Sequence, residues 1–181
     1  RQSLGSCDLL IIFLRKPFTS EGLRYDIRYN ALTTFIDNFL PSNKVLVIPF
    51  ENSYIFAGYN ELILDALLAK NYGCNQLIVG KNHGGLGLYY DENRLNSVFD
   101  RCKDIDIEIK TIDEYVYCDT CKTLVSTRTC PHGQHHHVHY HSESIMQLIQ
   151  SGLIPPSILV RKEVSANILS ALFPDRFKNL Q

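Results

Sequence analysis

Short apolar runs alternate along the first half of the chain with longer stretches in which apolar residues recur every three or four positions. Asp8 to Leu14 (DLLIIFL) is a continuous apolar run of strand length, bounded by Gly5 and Ser6 before it and by Lys16-Pro17 after. From Glu21 to Leu40, Leu23, Ile27, Leu32, Phe35, Ile36 and Phe39 fall at roughly helical intervals, and Pro41 marks the stop. Lys44 to Phe50 reads as a second strand, Asn60 to Tyr72 as a second helix closing at Gly73, and Gln76 to Gly80 as a third strand. A helix over Asp91 to Cys102 and an alternating strand over Ile105 to Thr111 complete the series.

Strands separated by helices of this length require crossover connections, hence a parallel sheet with helices on its faces. The expected fold class is α/β, a parallel sheet of the nucleotide-binding kind flanked by helices. Ligands in such sheets lie beyond the carboxyl ends of the strands, which directs attention to the loops after Leu14, Phe50 and Gly80. After Thr111 the pattern breaks into a stretch rich in cysteine and histidine that runs to His141 and has little aliphatic content. Helical spacing returns at Ser142 to Gln150 and at Lys162 to Leu172. The pattern thus divides the chain into an α/β nucleotide-binding region, 1–111, and a cysteine- and histidine-rich segment with C-terminal helices, 112–181.

Composition changes this picture little. With 181 residues, 45% hydrophobic and 20% charged, the chain can bury one sizeable core, and a net charge of -1 gives no electrostatic reason for a nucleic-acid or membrane partner. The longest apolar stretch, Leu9 to Leu14, is too short to cross a bilayer, so the expected setting is the cytoplasm. The chain starts at Arg1 and its only methionine is Met146, which reads as a fragment of a longer protein.

The six cysteines do change it, because they cluster unevenly and favour free thiols and metal ligands over a disulfide framework. Cys7, Cys74 and Cys102 each sit beside an apolar segment, as small packing thiols do. Cys118-x2-Cys121-x8-Cys130 has the spacing of a zinc knuckle, in which both thiolates of the first pair face one ion. One imidazole from the following tract (His132, His135, His136, His137, His139, His141) would complete a tetrahedron. His136 is the expected fourth ligand and His132 the runner-up, since Pro131 and Gly133 suggest a turn after Cys130. Such a site has no open coordination position, so the Zn2+ is expected to be structural. A redox-active Cys118/Cys121 pair would leave Cys130 unexplained, and Val138 and Tyr140 interrupt the histidines in a way no affinity tag does.

The segment GCNQLIVGKNHGGLGLYY, Gly73 to Tyr90, resembles the Gly-Arg-Asp-His-Ala-Gly region of ATP sulfurylases. Upstream, FAGYNELILDALLAKNYGC resembles that family's Tyr-Ala-Gly-Pro-Arg-Glu segment and the turn after its helix; downstream, TCPHGQHHHV resembles its zinc-bearing stretch and SGLIPPSILVRKEV its closing helical region. The preference for His136 also follows this resemblance, the family's ligand preceding the position of Val138 by two.

The resemblance implies a sulfate adenylyltransferase, with an α/β fold whose parallel sheet is of nucleotidyltransferase type, flanked by helices. Its substrates would be ATP, with Mg2+, and sulfate; its products adenosine 5'-phosphosulfate and pyrophosphate; and a homo-oligomer would be compatible with it. It places nucleotide and sulfate contacts on Gly80, Lys81, Asn82, His83, Gly84 and Gly85, with His83 and its flanks on nucleotide and the Gly84 amide facing sulfate. Read without it, the same residues are a Gly-rich turn after a strand, able to bring backbone amides close to an anion.

Departures from the family pattern accompany the match. Lys81 replaces an arginine, and His141 to Met146 stand where the family has Ser-Gly-Thr-x-x-Arg at a helix start. The family's His-x-x-His and Gln-x-Arg motifs are expected upstream of Arg1, so these 181 residues alone are expected to be inactive. A diverged nucleotidyltransferase for another small anion and a non-catalytic zinc-stabilised module are the alternatives.

Overall fold

A computed structural model describes residues 3–16, 22–51, 57–80, 83–86, 100, 102–112 and 114–177. Lys81, Asn82 and, apart from Asp100 and Cys102, the helix expected at Asp91 to Cys102 lie outside the described residues. Among those described, the fold is α/β with parallel strand pairs, as the alternating pattern requires. The chain divides into two compact units, residues 1–54 with 138–181, and residues 55–137. This division crosses the compositional boundary drawn at residue 111, because the C-terminal helices pack on the N-terminal segment.

In the first unit, β1 (Leu10–Arg15) pairs in parallel with β2 (Val45–Phe50), in a register that sets Leu10 against Val45 and Arg15 against Phe50. The 3-10 turn Ser42–Lys44 delays the start of β2 by one residue relative to the apolar run. Between the strands runs α1 (Tyr25–Phe39), whose last amide bond, Leu40 N–H to the Ile36 carbonyl, precedes Pro41. Its inward residues Ile27 and Ala31, with Leu23 just before the helix, form one cluster with Ile149 of α3 (Ser142–Gln150) and Ile168 and Leu169 of α4 (Lys162–Leu172). A four-residue helix, α5 (Pro174–Phe177), follows.

In the second unit, α2 (Tyr59–Asn71) leads into β3 (Gln76–Gly80), which pairs in parallel with β4 (Glu108–Ile112). The helix stops in a Schellman motif: Gly73, at φ 79°, donates to the Lys70 carbonyl and Cys74 to the Ala69 carbonyl, both at 2.9 Å. Glycine is needed there because the motif's left-handed residue suits few side chains. Leu62, Val79, Leu86 and Cys102 form one buried cluster, and Ala66, Ala69 and Ile107 form another. Cys74 and Cys102 pack as expected of small apolar thiols, and burial pushes both thiol pKa values up. β4 begins later than the alternation at Ile105 suggests, because residues 103–105 form a 3-10 turn and Asp106 takes a left-handed φ of 56°.

The unit ends in the cysteine-bearing hairpin. β5 (Tyr115–Cys118) and β6 (Thr123–Ser126) are antiparallel, with Tyr115 opposite Ser126 and Cys118 opposite Thr123. The short β7 (His137–Val138) completes a three-stranded sheet in the order β6-β5-β7.

Candidate metal centre and glycine loop

Three thiols meet at the tip of the hairpin. Residues 119–122 make the turn, and Lys122, at φ 56°, returns its amide to the Cys118 carbonyl at 2.9 Å. The Cys121 amide donates to Cys118 Sγ at 3.4 Å, so the backbone folds toward the sulfur as a zinc-knuckle spacing predicts. After β6 the amides of Thr129 and Cys130 both donate to the Ser126 carbonyl, at 3.1 and 3.0 Å, and the Arg128 amide donates to the Ser126 hydroxyl at 3.2 Å. This tight turn brings Cys130 back to the first pair.

The histidine that joins them is His132. Its Nδ1 lies 3.5, 3.3 and 3.7 Å from the Sγ atoms of Cys118, Cys121 and Cys130, and the four donor atoms lie within 4.8 Å of one another. His136, the expected fourth ligand, is placed differently: its Nδ1 is 2.7 Å from Asp119 Oδ1, and its carbonyl accepts the Asp119 amide at 2.9 Å. The reason is local. The 3-10 turn Gln134–His136 carries that imidazole onto the knuckle's own aspartate, whereas His132 precedes the turn and stays beside Cys130. The hydrogen bond to His136 in turn holds the Asp119 carboxyl below the usual carboxylate range.

The clustered thiols perturb one another's ionisation. Burial opposes ionisation of Cys118, but the amides of Cys121 and Thr120 and the neighbouring thiols outweigh it and bring the pKa down to about 6. Burial, followed by interactions with Cys118 and Cys130, pushes Cys121 up to about 11. One thiolate therefore forms readily and opposes the next, a conflict that a divalent ion among them removes. Three sulfurs and one imidazole nitrogen are a donor set suited to Zn2+.

The second site lies where β3 ends. His83 to Gly85 form a 3-10 turn in which Gly84 sits at φ 58° and Gly85 at φ 81°. The Gly84 carbonyl accepts the Gly58 amide at 2.6 Å, fixing the turn to the start of α2. A Cβ on Gly84 would lie 3.1 Å from both Glu61 Oε2 and the Gly58 carbonyl, so glycine is favoured here by tight packing as well as by backbone conformation. Gly80 is different: a Cβ there would meet nothing within 4 Å.

Two carboxylates on α2, one turn apart and both buried, face this loop. Glu61 Oε2 accepts the Ala57 amide at 3.3 Å, and Asp65 Oδ2 lies 2.8 Å from His83 Nε2. Sequence pattern alone did not single out these two residues. The available signal was their i, i+4 spacing, which sets both on one face of a helix whose other central residues are Leu, Ile and Ala. Of the expected loop contacts, His83, Gly84 and Gly85 are thus gathered against α2, Gly80 ends the strand, and Lys81 and Asn82 lie outside the described residues.

Comparison with known proteins fits this arrangement. The family model described as ATP-sulfurylase matches residues 1–171. The chain belongs to the ATP-sulfurylase family. A sulfate adenylyltransferase of Chloroflexus aurantiacus is 35% identical over 156 residues, which cover 85% of this chain and 41% of that protein. One from Staphylothermus marinus is 31% identical over 154 residues, 85% of this chain and 40% of that protein. The chain thus spans about two-fifths of the length of these ATP-sulfurylase relatives. Its fold is also similar to that of the hexameric APS kinase from Thiobacillus denitrificans, with a TM-score of 0.68 at 20% identity, covering 97% of this chain and 33% of the other.

Proposed function

We propose that the chain is part of a sulfate adenylyltransferase. A sulfate oxygen attacks the α-phosphorus of ATP, the bond from that phosphorus to the bridging oxygen breaks, and pyrophosphate leaves as adenosine 5'-phosphosulfate forms. The observation that carries this reading is the glycine turn at the carboxyl end of β3, keyed to α2 through Gly58, Glu61 and Asp65. Transfer of this kind depends on positioning and charge neutralisation. Gly80 leaves open space at the end of β3, Gly84 and Gly85 offer backbone amides to an anion, and Lys81, Asn82 and His83 offer side-chain donors. ATP enters with Mg2+. Cys118, Cys121, Cys130 and His132 hold a structural zinc, four protein donors leaving no position for substrate. The protein acts in the cytoplasm, and assembly into a homo-oligomer is compatible with it; no helix among the described residues is long and apolar enough to cross a membrane.

A second reading, transfer to a different small anion, is favoured by Met146. It occupies the position of the family's helix-start arginine and packs against the cluster of Leu23, Ile27 and Ile149, where it offers nothing to a phosphate or sulfate. Pyrophosphate release by the natural full-length protein, with ATP and a panel of oxyanions, separates the two. Sulfate as the best acceptor supports the first reading, another oxyanion the second, and no release with any acceptor a non-catalytic module.

A further inference from the structure

We propose that Asp65 is a positioning residue for His83, fixing which ring nitrogen the glycine loop presents to its ligand. The proposal rests on the reading of that loop as the nucleotide site. An imidazole has two neutral tautomers, and a loop histidine without a fixed partner populates both. An ionised aspartate can only accept, so the nitrogen 2.8 Å from Asp65 Oδ2, Nε2, carries a hydrogen in every protonation state. Nδ1 is then the variable atom: a bare acceptor in the neutral ring and a donor in the imidazolium.

The arrangement is built rather than incidental. Asp65 is buried on α2 between Leu62 and Ala66, both fully buried, while the His83 side chain retains 24% exposure and so keeps an edge toward solvent. One turn earlier, Glu61 packs tightly on Gly84, where a Cβ would lie 3.1 Å from its Oε2, and the Gly58 amide holds the Gly84 carbonyl. The same helix face thereby sets both the backbone path of the loop and the orientation of its imidazole. When His83 is protonated, Asp65 is its counter-charge and the Nδ1–H is left to donate to an oxyanion.

The test uses nitrogen-15 NMR of the natural full-length protein in mildly alkaline solution, with binding of a non-hydrolysable ATP analogue measured on the same samples. Wild type is expected to hold His83 as the Nε2–H tautomer. Asp65→Asn should move it toward Nδ1–H, because a carboxamide can turn its NH2 onto a bare Nε2, and should weaken the analogue roughly tenfold or more. Asp65→Glu should restore part of both. Zinc content and circular dichroism establish that each variant folds. If Asp65→Asn fails to fold, the wild-type spectrum decides alone, and an Nδ1–H tautomer there overturns the proposal. A folded Asp65→Asn protein with unchanged tautomer and affinity overturns it as well, while a loss of affinity in His83→Ala leaves the loop reading intact. Full affinity in His83→Ala overturns the loop reading itself and with it the role given to Asp65.

Discussion

The cysteine hairpin and the α2–β3 region belong to the same compact unit but are held together in different ways. Along the hairpin and its following turn, Val116, Cys118 and Ser126 are buried and most of the rest is open to solvent. Beneath α2, Leu62, Ala66, Ala69, Val79, Leu86, Cys102 and Ile107 are all buried and touch one another in two adjoining clusters. On the proposed zinc reading, cohesion in the first region is concentrated at four donor atoms; in the second it is spread over an area of apolar contact. Removal of one atom should therefore matter far more in the hairpin, and removal of volume far more under α2.

The largest expected effect comes from taking away the metal. A structural zinc is worth on the order of 10 kcal/mol in small peptide systems, more than the apolar contacts of this hairpin could replace. Chelation, or Cys118→Ser, should release amide-exchange protection across β5 and β6 while the amides of α2 and β3 remain protected. Loss of protection in both regions together would show that they are not separate in the way their packing indicates. Within the hairpin the comparison sharpens to two imidazoles. His132→Ala should lower bound zinc per chain, whereas His136→Ala should leave it unchanged, having lost only a partly exposed pair with Asp119 worth about 1 kcal/mol or less. Elemental analysis of reduced protein reads both.

The converse perturbation is Leu62→Ala. The side chain is 0% exposed and its loss opens a cavity among Val79, Leu86 and Cys102, for which about 2–5 kcal/mol is the usual cost. Urea unfolding should show that destabilisation in the α2–β3 region, and zinc content in the folded protein should stay at its wild-type value.

Sequence pattern served the two regions unequally. Strand and helix positions were legible because each element has one period and one buried side: the α1, α2, β1 and β3 spans differ from expectation only at their ends. The three thiols were legible because their spacing is itself the constraint. Which imidazole lies beside them was less legible, since six follow Cys130 and their sorting depends on a 3-10 turn and on Asp119, a partner no local pattern reveals. Glu61 and Asp65 were hidden for the opposite reason: charges on a helix usually mark its wet face, and here tertiary contact with a glycine turn reverses that rule. Nor could local periodicity tell that α1 and α4 pack together, because that contact joins segments far apart in the chain.

Between these extremes lies a test of backbone geometry. Gly73 and Gly84 both adopt positive φ, but a Cβ on Gly73 would meet nothing within 4 Å, while one on Gly84 would press on Glu61 and the Gly58 carbonyl. Gly73→Ala should cost roughly 1–2 kcal/mol, the penalty of the left-handed conformation alone. Gly84→Ala should cost about 3 kcal/mol and also weaken binding of an ATP analogue, since the turn must move away from α2. Equal stability losses with unchanged binding would mean that the close approach at Gly84 is slack.

The smallest effect is expected at the far end of α2, where Lys70 bonds both the carboxylate and the carbonyl of Asp106 at 2.6 Å. The hydrogen bond and charge of Lys70 hold the Asp106 carboxyl below its ordinary value of 3.8. A carboxyl lowered in this way stabilises the folded chain above its ordinary titration range and loses that contribution as pH falls through the lowered value. The Asp106 side chain is 93% exposed, however, so water and salt screen the pair almost completely. Asp106→Asn isolates the charge, because asparagine tolerates the φ of 56° and the carbonyl bond to Lys70 is kept. Urea midpoints of variant and wild type should coincide within error at neutral pH and still coincide in acid, once both side chains are uncharged. A neutral-pH midpoint clearly lower in the variant, closing on acidification, would show that the α2–β4 junction depends on a charge. Apolar area would then not suffice for this region, and its contrast with the cysteine hairpin would narrow.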